Sequence, residues 1–358
     1  MTPSFWEGKK VLLTGHTGFK GSWLSLWLQQ LGAHVAGYSI DVPTKPSLYE
    51  LAGVARSMES RTGDVRNLAT LSTFLKGVNP DVVIHMAAQA LVRRSYTNPV
   101  ETYDTNIMGT VNVLEAVRDV DSVRVVIIVT SDKCYENSER ESGYREEEPM
   151  GGYDPYSSSK GCAELVTAAY RNSFFNQEDF DSHRTAIASV RAGNVIGGGD
   201  WAEDRLIPEI IDALNAGNAP EVRRPDAVRP WQFVLDPLNG YLTLAEHLWL
   251  EGPACAGAWN FGPSDEDATS VARVVEQLAH VWGGDDHWRP GNPDQPHEAT
   301  YLKLDSSKAR SQLSWAPVLD LRTTLEWVVE WYKRHWNAGE ARAVTLAQIR
   351  EFQERATQ

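Results

Sequence analysis

Short apolar runs alternating with helix-length segments constrain the fold of this chain more than any other feature. Val11-Leu12-Leu13-Thr14 reads as a strand, and so do His34 to Ile40, Arg61 to Val65, Val82 to Met86 and Val123 to Val129. Between them, Phe19 to Leu31, Asn67 to Lys76 and Pro99 to Val117 read as helices. Near-continuously apolar strands are buried on both faces, and strands separated by helices run parallel. The fold class expected is α/β, a doubly wound parallel sheet of Rossmann type over residues 1–190. From Arg191 onward, short strands, helices and prolines (Pro208, Pro220, Pro225, Pro230, Pro237) alternate irregularly. That predicts a smaller α+β lobe over 191–358 for a substrate, with 231–257 returning to the first domain. Gly283 to Pro296 is expected as a surface loop, and 340–358 as a polar helical appendage.

Charge decides what such a fold can bind. The chain of 358 residues carries 34 Lys and Arg against 48 Asp and Glu, a formal net charge of −14. That balance argues against nucleic acid and anionic membranes as partners, yet allows an anionic small molecule in a locally basic pocket. The longest aliphatic run, Val125 to Val129, falls far short of the ~20 residues that span a bilayer. The first ten residues show no apolar signal region. Three scattered cysteines (Cys134, Cys162, Cys255) make no disulfide framework, and the nine histidines show no HExxH spacing. A cytoplasmic protein without a metal is the expectation.

Two motifs carry chemistry. Gly15-His16-Thr17-Gly18-Phe19-Lys20-Gly21 follows the first strand and opens the first helix. Glycines there permit a tight turn and let the backbone approach a pyrophosphate at the helix N-terminus. The dinucleotide contacts expected are Gly15, His16, Gly18, Phe19 and Gly21. His16 is unusual, either a surface residue or one that crowds the cofactor. An acid for the adenosine ribose is expected at the end of the second strand; Ser39 stands there, with Asp41 two residues on, which leaves NAD and NADP undecided. Asp64 and Val65 suit the adenine edge, or else Asp64 is a helix cap. Further on, Tyr156-Ser157-Ser158-Ser159-Lys160 puts a phenol and an ammonium on one helix face at i,i+4. A phenol base near pH 7 needs its pKa lowered about three units, which a neighbouring ammonium and an oxidised nicotinamide can supply.

Taken together, these pieces resemble the extended short-chain dehydrogenase/reductase family over nearly the whole chain. The further matches are Ala87, Ala88 and Gln89 after the fourth strand, Asn106 on the next helix, and Arg191-Ala192-Gly193-Asn194-Val195 at the lobe junction. The resemblance implies NAD as cofactor, a nucleotide-activated sugar as substrate, a homodimer through the helices at Pro99–Val117 and Tyr156–Phe174, and deoxysugar biosynthesis for O-antigen as the setting. It makes Tyr156 the base and Lys160 a holder of the nicotinamide ribose, and it adds Ala87, Ala88, Gln89 and Asn106 to the cofactor contacts. Asn194, Arg191, Arg205, Arg229 and Tyr301 become contacts to substrate.

The end of the fifth strand separates activities within the family. Epimerases carry only Ser or Thr there, whereas hexose 4,6-dehydratases show Thr-Asp-Glu. This chain reads Thr130-Ser131-Asp132-Lys133-Cys134-Tyr135, with Lys in the usual Glu place. That departure, with Gly197-Gly198-Gly199-Asp200-Trp201 and Val228-Arg229-Pro230-Trp231-Gln232, is similar to family members that dehydrate a CDP-linked hexose. The implied substrate is CDP-glucose, with Ser131, Asp132, Lys133, Tyr156 and Lys160 as catalytic residues. By position Lys133 is the base at C5 and Asp132 the acid at the 6-hydroxyl, although the reverse or a shared proton stays open. Side chains alternate along a strand, so all three residues face one site only if the chain bends there. The alternatives are dehydration of a dTDP- or GDP-hexose, a 4-epimerase using Ser131 and Tyr156 alone, and a cofactor-bound protein without activity.

Overall fold

The computed structural model describes residues 1–284, 287–292 and 301–357. Its core is a sheet of seven parallel strands: β1 (Lys10–Thr14), β2 (His34–Ser39), β3 (Glu59–Thr62), β4 (Val82–His85), β5 (Val125–Val129), β6 (Ala186–Arg191) and β7 (Gly257–Asn260). Their order is β7-β6-β5-β4-β1-β2-β3. The chain winds outward from β1 to β3, returns to β4, and winds outward the other way. The connections after β1 and β4 therefore diverge, opening a crevice at the C-terminal ends of those strands. In register, Thr14 lies beside His85, so polar side chains close two otherwise apolar strands at that crevice.

The α-helices of ten residues or more among the described residues are α1 (Phe19–Gln30), α2 (Leu68–Val78), α3 (Gly109–Arg118), α4 (Pro155–Ser173), α5 (Leu206–Asn215), α6 (Leu235–Glu251), α7 (Val271–Trp282), α8 (Leu321–Ala338) and α9 (Ala341–Ala356). One face of the sheet packs Val11, Leu13, Val125 and Ile127 with α1 and α6; the other packs Leu12, Val83, Val126 and Ile128 with α2 and α3. The second lobe contributes α5, α7 and small two-stranded pieces, Val195–Ile196 with Gln232–Phe233 and Val228–Pro230 with Ala268–Ser270. Helix α6 lies against β5 and β6 and delivers the chain into β7, so the returning segment runs on to Asn260.

Three expectations need correction. The third strand covers Glu59–Thr62, not Arg61 to Val65, because β3 is an exposed edge strand with no apolar run to mark it. Val65 lies beyond it, buried with Tyr38 and Leu71. The segment Pro99–Val117 is not one continuous α-helix: a π-helical turn at Asp104–Met108 separates Pro99–Tyr103 from α3. Nor is the terminal helix an appendage. Val344, Ile349 and Phe352 are fully buried, and Phe352 meets Trp27 of α1 edge to face at 5.6 Å between centroids. Arg342 donates to the Ala52 carbonyl at 2.8 Å, so α9 seals the outside of the first domain. Of the expected loop at Gly283 to Pro296, Arg289–Pro290 pairs with Glu221–Val222, while 285–286 and 293–296 lie outside the described residues.

Candidate active site

The glycine turn closes tightly on the end of β4. Gly15 has φ +76°, and a Cβ there would come within 2.7 Å of the Ala87 amide nitrogen. At Gly21 a Cβ would stand 2.1 Å from the Gly15 carbonyl oxygen. Gly18 caps α1 without any side-chain hydrogen bond. The amides of the first turn therefore keep their donors for an incoming group, at the positive end of the helix. That bare, glycine-lined cradle suits the pyrophosphate of a dinucleotide.

His16 is neither on the surface nor a free group. It is buried, with Nδ1 2.8 Å from Ser39 Oγ and Nε2 2.8 Å from Ser60 Oγ. Its ring fills the space that a Cβ at Gly37 would need, at 2.3 Å. Burial pushes its pKa down to about 4, against a hydrogen bond to the Tyr38 backbone, so the ring is neutral at pH 7. Ser39, at the place where an acid was expected, is thus engaged by the imidazole. Asp64 is not the helix cap, since Asn67 caps α2; its carboxylate is held by Arg66, with Nη2 to Oδ2 at 2.7 Å.

Thr14 organises the end of β4. Its hydroxyl oxygen accepts from the Met86 and Ala87 amides, both at 3.1 Å, which leaves its proton for His85 Nδ1 at 2.6 Å. His85, neutral because burial and Lys160 push its pKa down to about 3, then donates from Nε2 to Thr110 at 3.3 Å. Asn106 completes the support. Its Oδ1 accepts from the Gln89 amide at 2.8 Å, and its Nδ2 donates to the Gln89 carbonyl at 3.0 Å and Ser159 Oγ at 2.8 Å. Gln89 in turn bonds Leu91 and Thr102. Asn106 and Gln89, expected as cofactor contacts, spend their side-chain amides on the β4 loop: Asn106 ties it to α4 and Gln89 ties it to the helix Pro99–Tyr103.

At the end of β5 the chain bends, as a shared site required. Ser131 caps a single 3-10 turn, Asp132–Cys134, by accepting from the Lys133 amide at 3.2 Å. Ser131, Asp132 and Lys133 consequently all line one cleft of about 620 Å3, and Tyr156 faces them from the first turn of α4. Asp154 caps that helix through Ser157, with its Oδ1 2.9 Å from the Ser157 amide. Ser131 donates to Asp132 Oδ1 at 2.9 Å, whereas Asp132 Oδ2 is buried without a partner among the described residues. That oxygen is packed so closely against Gly193 that a Cβ there would lie 1.9 Å away. Burial pushes the Tyr156 phenol up to about 12, against a hydrogen bond with Ser131. Lys160, one turn on, is pushed down to about 8 by burial and donates to the Val129 carbonyl at 3.2 Å.

The second lobe supplies the opposite wall. Asn194, Arg205 and Arg229 line the cleft, and Asn194 holds the left-handed conformation with φ +46°, uncommon for any residue but glycine. Arg205 pairs with Asp200 at 3.0 Å. Arg191 and Tyr301, also expected against substrate, do not line the cleft. Arg191 is 3% exposed and locked onto Glu164 by two 2.9 Å bonds, with Thr130 and Ser189 satisfying the same carboxylate. Its role is structural, joining α4 to β6. Tyr301 offers its carbonyl to Asn137 at 3.0 Å, and its neighbour Leu302 reaches the cleft instead.

Several lining residues escaped sequence reasoning: Lys20, Arg93, Arg223, Arg224, Asp200 and Gly193. Lys20 sits inside the glycine motif and could have been found there. Among the described residues the cleft is lined by seven basic side chains (Lys20, Arg93, Lys133, Arg205, Arg223, Arg224, Arg229) against five acidic ones (Asp132, Glu139, Asp154, Asp200, Asp204). An excess of cations therefore faces the cleft inside a chain of net charge −14. A separate cluster, His247, Glu251 and Cys255, brings three metal-ligand types within 4.8 Å at the end of α6.

The family model described as GDP-mannose 4,6 dehydratase matches residues 12–328. The chain belongs to that family. Among members of this dehydratase family, it is 54% identical over 337 residues to CDP-glucose 4,6-dehydratase of Salmonella typhimurium, covering 94% of each chain. It is 26% identical to a dTDP-glucose 4,6-dehydratase of Xanthomonas campestris, covering 90% of this chain and 92% of the other. Among solved structures, UDP-glucose 4-epimerase of Thermotoga maritima superposes with a TM-score of 0.79 at 20% identity, covering 91% and 99%. The dTDP-glucose 4,6-dehydratase DesIV of Streptomyces venezuelae, solved with NAD, superposes at 0.77 with 23% identity, covering 91% and 98%. At such identities these two likenesses bear out the Rossmann-type fold.

Proposed function

We propose that this chain is an NAD-dependent nucleotide-sugar 4,6-dehydratase that converts CDP-glucose to CDP-4-dehydro-6-deoxyglucose with loss of water. The observation that carries the reading is the 3-10 turn at Asp132–Cys134, which turns an acid and a base into the cleft that already holds Tyr156. Epimerisation at C4 needs only the phenol and a serine, whereas elimination needs a second acid–base pair. The Salmonella relative, 54% identical and named for this activity, supports the same reading.

Bound in the glycine cradle, NAD would accept hydride from C4 and return it to C6. The chain's own residues do the rest. Ser131 and Tyr156 hold the 4-hydroxyl, and Tyr156 takes its proton. With burial holding it up to about 12, the phenol becomes a base only when cations stand beside it; Arg205 pulls it down from the second lobe, and Lys160 lies one helical turn on from it. Once C4 is a ketone, the C5 proton is acidified; Lys133 removes it while Asp132 protonates the departing 6-hydroxyl to water, and Lys133 then gives its proton back to C5 as hydride returns to C6. The unpartnered Oδ2 of Asp132 leaves a place for that proton. Arg205, Arg229 and Asn194 would meet the diphosphate, with Arg223 and Arg224 adding positive charge.

The homodimer is proposed on the helices that the resemblance implies. Val100 is 80% exposed and Leu165 61%, with Tyr103 and Met108 also exposed on the same stretch. A nucleotide-linked substrate and three free cysteines fit the cytoplasm. The deciding experiment is incubation with CDP-, dTDP-, UDP- and GDP-glucose, following the products by mass and NMR. The 4-keto-6-deoxy sugar from the CDP-hexose is the expected product. A 4-epimer, or turnover confined to another nucleotide, would overturn the proposal.

A further inference from the structure

Lys20 is the second residue of α1 and the only lysine of the glycine turn. It is partly buried and lines the cleft together with Ser131, Asp132, Lys133 and Tyr156. Among the described residues its ammonium makes no hydrogen bond and no ion pair. Of the two cations that act on it, Arg205 is paired with Asp200, and Lys160 donates to the Val129 carbonyl. Burial, Arg205 and Lys160 push the Lys20 ammonium down to about 8, against the pull of Asp132, so it is largely charged at pH 7.

Position says what this charge faces. The cofactor reading puts a pyrophosphate on the first turn of α1, and the chemistry puts the hydride acceptor at the sugar carbon whose hydroxyl meets Tyr156. Lys20 stands on that turn and lines the cleft that holds Tyr156. As hydride arrives, the acceptor ring loses its positive charge; no bond to lysine forms or breaks. We propose that Lys20 faces the reactive ring of NAD and, through its charge, favours the reduced cofactor over the oxidised one. The site is thereby biased toward taking hydride from the sugar, the first step of the proposed reaction.

This inference rests on NAD being the cofactor and is tested by binding, without turnover. The full-length protein, freed of nucleotide, is titrated by calorimetry with NAD+ and separately with NADH, as wild type, Lys20→Met and Lys20→Arg. A unit charge at an effective dielectric of ~20 changes a binding constant by about tenfold even at ~12 Å. The ratio of the NAD+ to the NADH dissociation constant should therefore fall about tenfold or more in Lys20→Met and stay within about twofold in Lys20→Arg. An unchanged ratio in Lys20→Met, including equal weakening of both forms (the result expected of a phosphate anchor), overturns the proposal. So does an Arg variant that behaves like the Met variant. Failure of wild type to bind either form would instead overturn the cofactor reading itself.

Discussion

Gly193→Ala adds one methyl group at the point where β6 hands the chain to the second lobe. The new Cβ would stand 1.9 Å from Asp132 Oδ2 and 2.3 Å from its Cγ, where ordinary contacts begin near ~3.4 Å. Something must move by more than about 1 Å, and the structure says which side yields. The backbone at Gly193 is pinned, since Gln232 donates to its carbonyl at 3.0 Å. Among the described residues the Asp132 carboxyl is held by one hydrogen bond from Ser131, and its other oxygen has no partner. The carboxyl therefore swings away, losing a bond worth about 1 kcal/mol and leaving the place proposed for it beside the substrate's 6-hydroxyl. A misplacement of ~1 Å in a reacting group costs on the order of 100-fold in rate. Turnover of CDP-glucose should fall by about that factor, with overpacking lowering stability by roughly 1–3 kcal/mol. Tyr156 is untouched, so oxidation at C4 should persist and reduced cofactor accumulate, read at its near-ultraviolet absorbance in a stopped-flow trace. A double-mutant cycle sharpens the test: in an Asp132→Ala background the Gly193→Ala change should cost little more. Wild-type turnover in the single variant, or full additivity in the double, would refute the reasoning.

Lys133→Met should retain hydride transfer yet lose elimination by about 10²–10⁴-fold, seen as reduced cofactor without solvent exchange at C5; normal turnover would refute its assignment as base. Gly21→Ala drives a Cβ to 2.1 Å from the Gly15 carbonyl, so cofactor retained through gel filtration should drop sharply while circular dichroism stays near that of wild type. Glu164→Gln strips Arg191 of its buried counter-charge and should cost about 3–5 kcal/mol in urea unfolding at pH 7. The Glu164 carboxyl lies below its ordinary 4.5, its hydrogen bonds and charge contact with Arg191 and its bonds to Ser189 and Thr130 overcoming burial. Its stabilisation is thus complete above pH 4.5 and lost as pH falls through the folded value, so the gap between variant and wild type should narrow at acid pH.

How much could be read in advance differed from residue to residue. The cluster Ser131 to Lys133 stands out in the sequence as Ser-Asp-Lys at a strand end, but the bend that brings all three into one cleft does not. Arg191 shows the opposite case. Beside Asn194 in a motif of the lobe junction it reads as a substrate contact, yet Glu164, twenty-seven residues away, claims it. His16 was visible as an oddity, while its partners Ser39 and Ser60 belong to two other strands. Helix α9 looked like an appendage because its surface is mostly polar, and only Trp27 and Ala52 show where its few apolar side chains go.

The sequence by itself determined the strand and helix alternation, the glycine cradle and the identity of the groups able to move protons. Each of these is written in short spacings, as strand period, helix period or turn chemistry. The tertiary structure alone decided which charges meet the cleft and which are consumed behind it. Lys20 comes to line the same wall as Asp132 although more than a hundred residues separate them, and Gly193 is pressed onto that same carboxyl. Such contacts are set by sheet order and by how the second lobe closes over the first. A buried polar group finds its partner across the fold, where no local spacing records it.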